Sequence, residues 1–146
     1  MKTIIESLFD YFSTCPLMTQ NRLNIDYLPE STKEAGIEYA IATEPTDEIV
    51  YNYKGGGARC RYPFVISSIN DYGPDEVQNI MNSGFFEKLS SWMRKQTRER
   101  NLPTGAEDIM PRSIRAIGPG YLYQPDVNAG KYQIQCEFEY YRKGEI

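Results

Sequence analysis

The chain has 146 residues, three cysteines, no histidine and a formal net charge of −4. This length fits one domain with a core of its own, and we expect residues 1–146 to form a single domain. The acidic balance argues against a protein that grips nucleic acid through a basic surface, and no apolar run is long enough to span a membrane.

An amphipathic helix is predicted at the start of the chain. The segment Thr3-Ile-Ile-Glu6 fits a capping box, in which the threonine and glutamate side chains satisfy free backbone donors. Pro16 should end the helix near Cys15. One apolar face follows from residues at helical spacing, which are Ile4, Ile5, Leu8, Phe9 and Phe12.

Three strands are predicted next, after an irregular stretch with a possible short extended piece at residues 23–28. Their ranges are Ile37–Thr43, Ile49–Tyr53 and Arg59–Ile69. Gly55-Gly-Gly57 should be the turn between the last two, because no Lys-Ser/Thr pair follows it as a phosphate loop requires. Pro63 has no N–H group and therefore needs an edge or a bulge.

A long helix is predicted from about Asp75 to Arg100. Gly84, in Asn82-Ser-Gly84, lowers helical stability, so we expect a kink or a break there. Trp92 should be a core anchor. The apolar stripe of this helix comprises Val77, Ile80, Met81, Phe85, Leu89, Trp92 and Met93.

The end of the chain carries the clearest strand pattern. Short strands are predicted at Arg112–Ile117 and Tyr121–Tyr123, and residues 132–140 then alternate strictly between apolar and polar side chains. Tyr132, Ile134, Cys136, Phe138 and Tyr140 should be buried, while the intervening residues should face water. The element order αβββαβββ predicts an α+β fold, a mainly antiparallel sheet flanked by an N-terminal helix and a long, kinked central helix.

The sequence offers little catalytic chemistry. Without histidine it lacks the commonest general base and metal ligand. Cys15, Cys60 and Cys136 have no metal or redox spacing, which fits a reducing compartment. Glu137 and Glu139 resemble a carboxylate pair, but neighbours on one strand are more typical of a solvated or interfacial face than of a glycosidase cleft. We therefore predict no catalytic, cofactor or metal residues and no enzyme activity.

Two blocks carry a resemblance to a known family. One is the helical block Asn82-Ser-Gly-Phe-Phe-Glu-Lys-Leu-Ser-Ser-Trp92, and the other is the hairpin block Gly120-Tyr-Leu-Tyr with Tyr132-Gln-Ile-Gln-Cys136. Together with Thr14-Cys-Pro16 they resemble the minor capsid or tail terminator (head–tail joining) proteins of long-tailed phages and Firmicutes prophages. The similarity runs in order over nearly the whole chain, although residues 29–36 and 103–112 match no motif.

The resemblance implies a structural virion assembly protein. Such a subunit assembles with copies of itself into a ring, typically a hexamer, that caps the tail tube and joins it to the head. The implied partners are the tail tube protein and the head connector protein, with DNA passing through and no specific binding, no cofactor and no membrane. The implied location is the virion, and the host cytoplasm during assembly.

Interface positions are not defined by the family motifs, so we take them from this sequence. The polar side chains of the last strand suit a ring lining or an intersubunit contact, and reversing the charges of Glu137 and Glu139 should then impair assembly. The loop at residues 51–59 should reach a neighbour or the tube. The candidate interface or lumen residues are Gln133, Gln135, Glu137, Glu139, Tyr51, Tyr53 and Arg59.

Two other functions remain open at this point. The first is a small intracellular protein-binding module of unknown ligand, which would have the same fold and form no ring. The second is an enzyme that uses glutamate or tyrosine chemistry, which would require an enclosed pocket with convergent carboxylates.

Overall fold

Two helices and seven strands make up the part of the chain that the structure describes. This structure, a computed structural model, describes residues 3–18, 22–25, 38–44, 48–71, 76–125 and 129–143. The elements are α1 (Ile4–Ser13), β1 (Arg22–Ile25), β2 (Glu38–Thr43), β3 (Ile49–Asn52), β4 (Ala58–Asp71), α2 (Glu76–Glu99), β5 (Ile109–Ala116), β6 (Tyr121–Pro125) and β7 (Ala129–Arg142).

The two longest strands form the centre of one mixed sheet. β4 and β7, each of 14 residues, pair antiparallel along their whole length from Ala58↔Arg142 to Asp71↔Ala129. The other edge of β4 is shared by β2 and β3, and the other edge of β7 is shared by β5 and β6. β1 pairs with β2 and forms the parallel pair of an otherwise antiparallel sheet. The predicted α+β class with a mainly antiparallel sheet is confirmed.

The finer predictions of element order and helix shape are not confirmed. Four strands precede α2 instead of three, because Arg22–Ile25 forms β1; the rest of the expected extended piece, residues 26–28, lies outside the described residues. α2 continues without a break through Gly84, and an added Cβ there would meet nothing within 4 Å. The weak helix propensity of one glycine is therefore outweighed by the hydrogen bonding of the turns on both sides.

Pro63 lies at a position of β4 where no neighbouring strand requires a backbone N–H group. β4 pairs with β3 through Ala58–Cys60 and with β2 through Phe64–Ile69, so Pro63 falls in the gap between these two partners. Its carbonyl accepts from Glu44 N on that side, at 3.0 Å. Since N and C=O of a strand residue point to the same edge, the absent N–H also faces this gap.

Both helices pack on one face of the sheet and close the core there. The Thr3 hydroxyl accepts from Glu6 N at 3.3 Å, as the capping box predicts, and starts α1. Phe12 of α1 then meets Phe64 of β4, with ring centroids 5.7 Å apart. The predicted buried face of β7 is confirmed, since its apolar side chains are at most 3% exposed; they are Tyr132, Ile134, Cys136, Phe138 and Tyr140.

The apolar face of each helix is rotated slightly from the predicted stripe. Tyr11 is buried on α1, and its hydroxyl donates to Asn101 O at 2.8 Å. On α2 the buried aromatic residue is Phe86, whereas Phe85 is only partly buried. Trp92 is also partly buried and packs against Tyr11, with centroids 5.3 Å apart. The remaining predicted stripe residues, Val77, Ile80 and Met81, lie outside the described side chains.

Three parts of the quoted sequence blocks meet inside this core. Phe86, from the helical block, stacks near Tyr132, from the hairpin block, with ring centroids 6.2 Å apart. Gly120 approaches so closely that an added Cβ would lie 2.5 Å from Phe86 Cβ and Cγ. The two blocks are therefore linked by packing: α2 and the β6–β7 hairpin can approach this closely only when residue 120 has no side chain.

Candidate interaction face of the sheet

The candidate residues predicted from the sequence all lie on the face of the sheet opposite the helices. Glu139 follows the alternation of β7 away from buried Phe138 and Tyr140, and it contacts Arg59 of β4. Arg59 is the cross-strand partner of Tyr51 in β3, so Tyr51 lies on the same face as Arg59. Tyr53, just after β3, lies there too, because its ring contacts that of Tyr51. We call this surface the outer face; the described part of each helix packs on the other side. It comprises Tyr51, Tyr53, Arg59, Gln133, Gln135, Glu137 and Glu139 with their neighbours.

Glu139 is the most enclosed charge on the outer face. Its side chain is only 11% exposed and forms ion pairs with Arg59 of β4 and Arg112 of β5, the latter at 3.3 Å. The hydrogen bond that Arg59 Nε donates to the Glu139 carboxylate is the main cause that raises the pKa of the Arg59 guanidinium. One carboxylate thus binds two cations from the strands on either side of β7 and fixes both guanidinium groups.

The rest of the β7 polar row is also paired. Glu137, 12% exposed, lies 3.4 Å from Arg115 Nη2 of β5. Gln133 Nε2 donates to Tyr121 Oη at 2.9 Å, and Gln135 Nε2 lies 3.4 Å from a carboxylate oxygen of Glu44, the residue after β2. The expectation of a plainly wet face is therefore wrong, because side chains from both flanking sides cover the row and satisfy it.

A cluster of aromatic and cationic side chains occupies one end of the outer face. The rings of Tyr51 and Tyr53 are 5.1 Å apart, and Tyr53 in turn lies 6.1 Å from Tyr141 of β7. The guanidinium carbon of Arg112 sits 5.2 Å from the centre of the Tyr141 ring, and its Nη1 donates to the Tyr141 hydroxyl. Met110 of β5 pairs with Tyr141 and completes the line. We call Tyr51, Tyr53, Met110, Arg112 and Tyr141 the Tyr–Arg patch.

Much of the Tyr–Arg patch is open to solvent. Tyr51, Tyr53 and Met110 are 57%, 41% and 56% exposed. A shallow cavity of about 400 Å³ lies beside Met110 and is lined by Arg100, Met110, Pro111, Arg112, Ser113 and Tyr141. Tyrosine, methionine and arginine are enriched at the centres of protein–protein interfaces, since they offer large contact areas with few or well-placed polar groups.

Reactive groups for catalysis are not brought together in the described residues. No cluster of three or more metal-ligating side chains occurs among them. Cys15, Cys60 and Cys136 are all buried and unpaired, and burial raises the pKa of each thiol, which keeps it protonated. Tyr140 on the core side donates to Glu48, and burial is the main cause that raises its pKa.

Sequence reasoning included Arg59 but missed the two other arginines that pair with the β7 carboxylates, Arg112 and Arg115. Arg112 reaches Glu139 because a register shift between Pro111 and Ser113 inserts one extra residue in β5. A bulge cannot be located from apolar alternation, and the predicted strand began at Arg112, so Pro111, which would be a signal for a bulge inside a strand, lay outside it. Arg115 and Glu137 are direct cross-strand partners, which only the pairing of β5 with β7 reveals.

The fold and the outer face define a two-layer α+β domain that buries one side of its sheet under helices and presents charged, paired and aromatic residues on the other. Searches add no relative: no family model matches the chain, and no curated protein matches its sequence. Within the described residues, neither helix is long and apolar enough to cross a membrane.

Proposed function

We propose that this chain is a structural virion assembly protein of the tail terminator type, whose copies form a ring, typically a hexamer, that caps the tail tube and joins it to the head connector. The observation that carries the proposal is the outer face: one surface, built from five strands, holds every candidate interface residue. The resemblance of the helical and hairpin blocks supplies the kind of assembly.

The charges of the outer face favour one of its two proposed uses. A surface that lines a DNA passage should not attract phosphates. Here the carboxylates of Glu137 and Glu139 are matched by Arg59, Arg112 and Arg115, and the side chains of these arginines are 38%, 40% and 56% exposed. Exposed arginine is a strong phosphate ligand. The face therefore suits an intersubunit contact better than the lumen, where DNA would pass without specific binding.

The ion pairs also determine how the proposal must be tested. Replacing Glu139 by lysine would place a third cation beside Arg59 and Arg112, so lost assembly would not be separable from lost folding. Truncating exposed residues avoids this difficulty. Tyr51→Ala removes a side chain that is 57% exposed and leaves the Glu139 ion pairs in place.

The direct experiment measures assembly of the purified chain by light scattering over a concentration series, alone and with the tail tube protein of the same phage or prophage. Ring-sized particles, visible by electron microscopy on tube ends, are expected, and Tyr51→Ala should reduce them. A chain that stays monomeric at every concentration, with and without tube protein, contradicts the proposal and leaves the protein-binding module as the alternative.

A further inference from the structure

The outer face presents its exposed apolar groups and its excess of cations in the same place. The Tyr–Arg patch joins Tyr51, Tyr53 and Met110 to Arg112, and Arg100 donates to the Arg112 carbonyl at 3.3 Å. The carboxylate that pairs with Arg112, that of Glu139, is already bound to Arg59 as well. The patch is thus locally basic in a chain whose net charge is −4. A partner surface that fits must combine acidic side chains with some apolar area.

Helix α1 has that composition. Its sequence, IIESLFDYFS, contains two carboxylates and no basic residue. Glu6 and Asp10 are both exposed and stand four residues apart, on the same side of the helix. Between them and the core lie Ile5 and Phe9, which are only partly buried.

The two surfaces lie in different layers of the same subunit. α1 packs on the helical side of the sheet, where Phe12 meets Phe64, whereas the Tyr–Arg patch belongs to the outer face. One copy therefore cannot satisfy its own patch with its own α1. A second copy can, in an arrangement where the outer face of one subunit meets the helical layer of the next.

We propose that the Tyr–Arg patch of one copy binds the acidic face of α1 (Glu6 and Asp10) of a neighbouring copy, in a heterologous, head-to-tail contact. This inference rests on the proposed ring and names the two surfaces that would build it. Exposed tyrosine and methionine supply contact area, and the carboxylates meet the exposed sides of the arginines. Repetition of such a contact closes into a ring when the rotation between copies allows it.

The contact is expected to be weak when taken alone. The patch contributes few side chains, compared with about 20–30 residues a side in a standard stable interface. Association of two copies should therefore require high protein concentration, while closure of a ring adds strength because each later contact forms within one assembly.

Two variants test the two surfaces of this contact separately, one in the Tyr–Arg patch and one in α1. The patch variant is Tyr51→Ala with Met110→Ala, and it removes side chains that are 57% and 56% exposed. Its control removes exposed apolar side chains elsewhere, Ile25→Ala with Ile117→Ala. We expect the patch variant to raise the dissociation constant about 30- to 100-fold and the control to leave it within about threefold.

The helix variant neutralises α1 without changing its shape: Glu6→Gln with Asp10→Asn. Its control neutralises exposed carboxylates of α2, Glu87→Gln with Glu99→Gln. The helix variant should weaken association about five- to tenfold at low salt, and the difference should shrink as salt screens the charges. Circular dichroism and thermal melting of every variant show whether it is folded before association is compared.

Mixing the two variants gives the sharpest result. Each alone should associate poorly, but the patch variant retains a working α1 and the helix variant retains a working patch. A heterologous contact therefore predicts that the mixture forms dimers and stops there, as read by sedimentation velocity. A patch that binds another patch predicts instead that the helix variant associates alone as well as the unmodified chain does, and that adding the patch variant forms no further dimers; that result would overturn the inference.

The outcomes also separate this inference from the proposed function. If both variants still cap tail tubes like the unmodified chain, the contact surfaces are wrong while the ring stands. If the mixed variants pair as expected but the unmodified chain caps no tube, the contact stands and the proposed function fails. An unmodified chain that stays monomeric at the highest concentration and also with tube protein contradicts both.

Discussion

The close approach of α2 to the β6–β7 hairpin predicts a large effect from a single methyl group. In Gly120→Ala the new Cβ would lie 2.5 Å from Phe86 Cβ and Cγ and 2.9 Å from Phe86 Cδ2. Carbon atoms pack at about 3.5–4.0 Å, so the overlap is about 1 Å or more. The side chain of Phe86 is 1% exposed and stands between Phe85 and Tyr132, with centroids at 5.2 and 6.2 Å.

Relief of this overlap requires movement of helix or hairpin backbone, since the Cβ of Phe86 cannot rotate away. Overpacking of this kind costs about 1–3 kcal/mol in the free energy of unfolding. For a domain of this size that corresponds to a decrease in Tm of about 3–10 °C. The assay is urea unfolding followed by tryptophan fluorescence and circular dichroism, together with a thermal melt.

Gly118→Ala is the matched control, because an added Cβ there would meet nothing within 4 Å. It lies in the same turn, and it should be neutral or raise stability by up to about 1 kcal/mol through the unfolded chain. Equal stability of the Gly120→Ala and Gly118→Ala proteins would refute the packing of Phe86 against the turn.

Three further predictions concern helix continuity, ion pairing and pH. Gly84→Ala should raise stability by about 0.5–1 kcal/mol in urea unfolding, because α2 is continuous and the site is open; a loss would indicate that the chain bends there. Glu139→Gln should lower the free energy of unfolding by about 1–2 kcal/mol, and Glu137→Gln should lower it by less than about 1 kcal/mol. The reason is that Glu139 binds two arginines, whereas Glu137 binds one, whose side chain is 56% exposed. Equal losses in the two variants would contradict this ranking. Burial raises the pKa of Tyr39 to about 12 and also raises that of Tyr140, so the folded state holds these protons more tightly than the unfolded chain. The contribution of these two tyrosines to folding stability is complete below about pH 10 and is lost as the pH rises toward about 12. The urea midpoint should therefore fall over that pH range, and a midpoint that is unchanged up to about pH 12 would contradict the prediction.

The sequence predicted best those features that depend on residues of a single helix or strand. The alternation of β7 follows from its position between two strands with helices on one side, so Ile134, Cys136 and Phe138 could be predicted as buried. The start of α1 was equally local, since Thr3 bonds a residue only three positions away. β1 is different, because its four residues are stabilised by parallel pairing with β2, and the sequence indicated only a possible extended piece at residues 23–28.

The candidate site was harder to predict, because its chemistry arises between strands. The polar row of β7 reads as solvent-exposed, yet Glu139 is 8% exposed as a residue once Arg59 and Arg112 approach from β4 and β5. Those approaches depend on strand order and on the β5 bulge, which are properties of the whole sheet. Tyr51 in β3 and Tyr53 just after it could be recognised as exposed aromatic residues, but their neighbour Tyr141 could not.

The motifs and the proposed contact surfaces serve different purposes in this molecule. Phe86, Gly120 and Tyr132, from the helical and hairpin blocks, pack against one another in the core, where any change of volume is costly. Tyr51 and Met110 lie outside those blocks and are more than half exposed, so substitution there has little effect on folding. Sequence blocks of this kind therefore report the fold, whereas the proposed contact depends on exposed residues outside them, on the outer face and on α1. It follows that grafting an unrelated pair of residues at positions 51 and 110 should change association while leaving the unfolding midpoint in place.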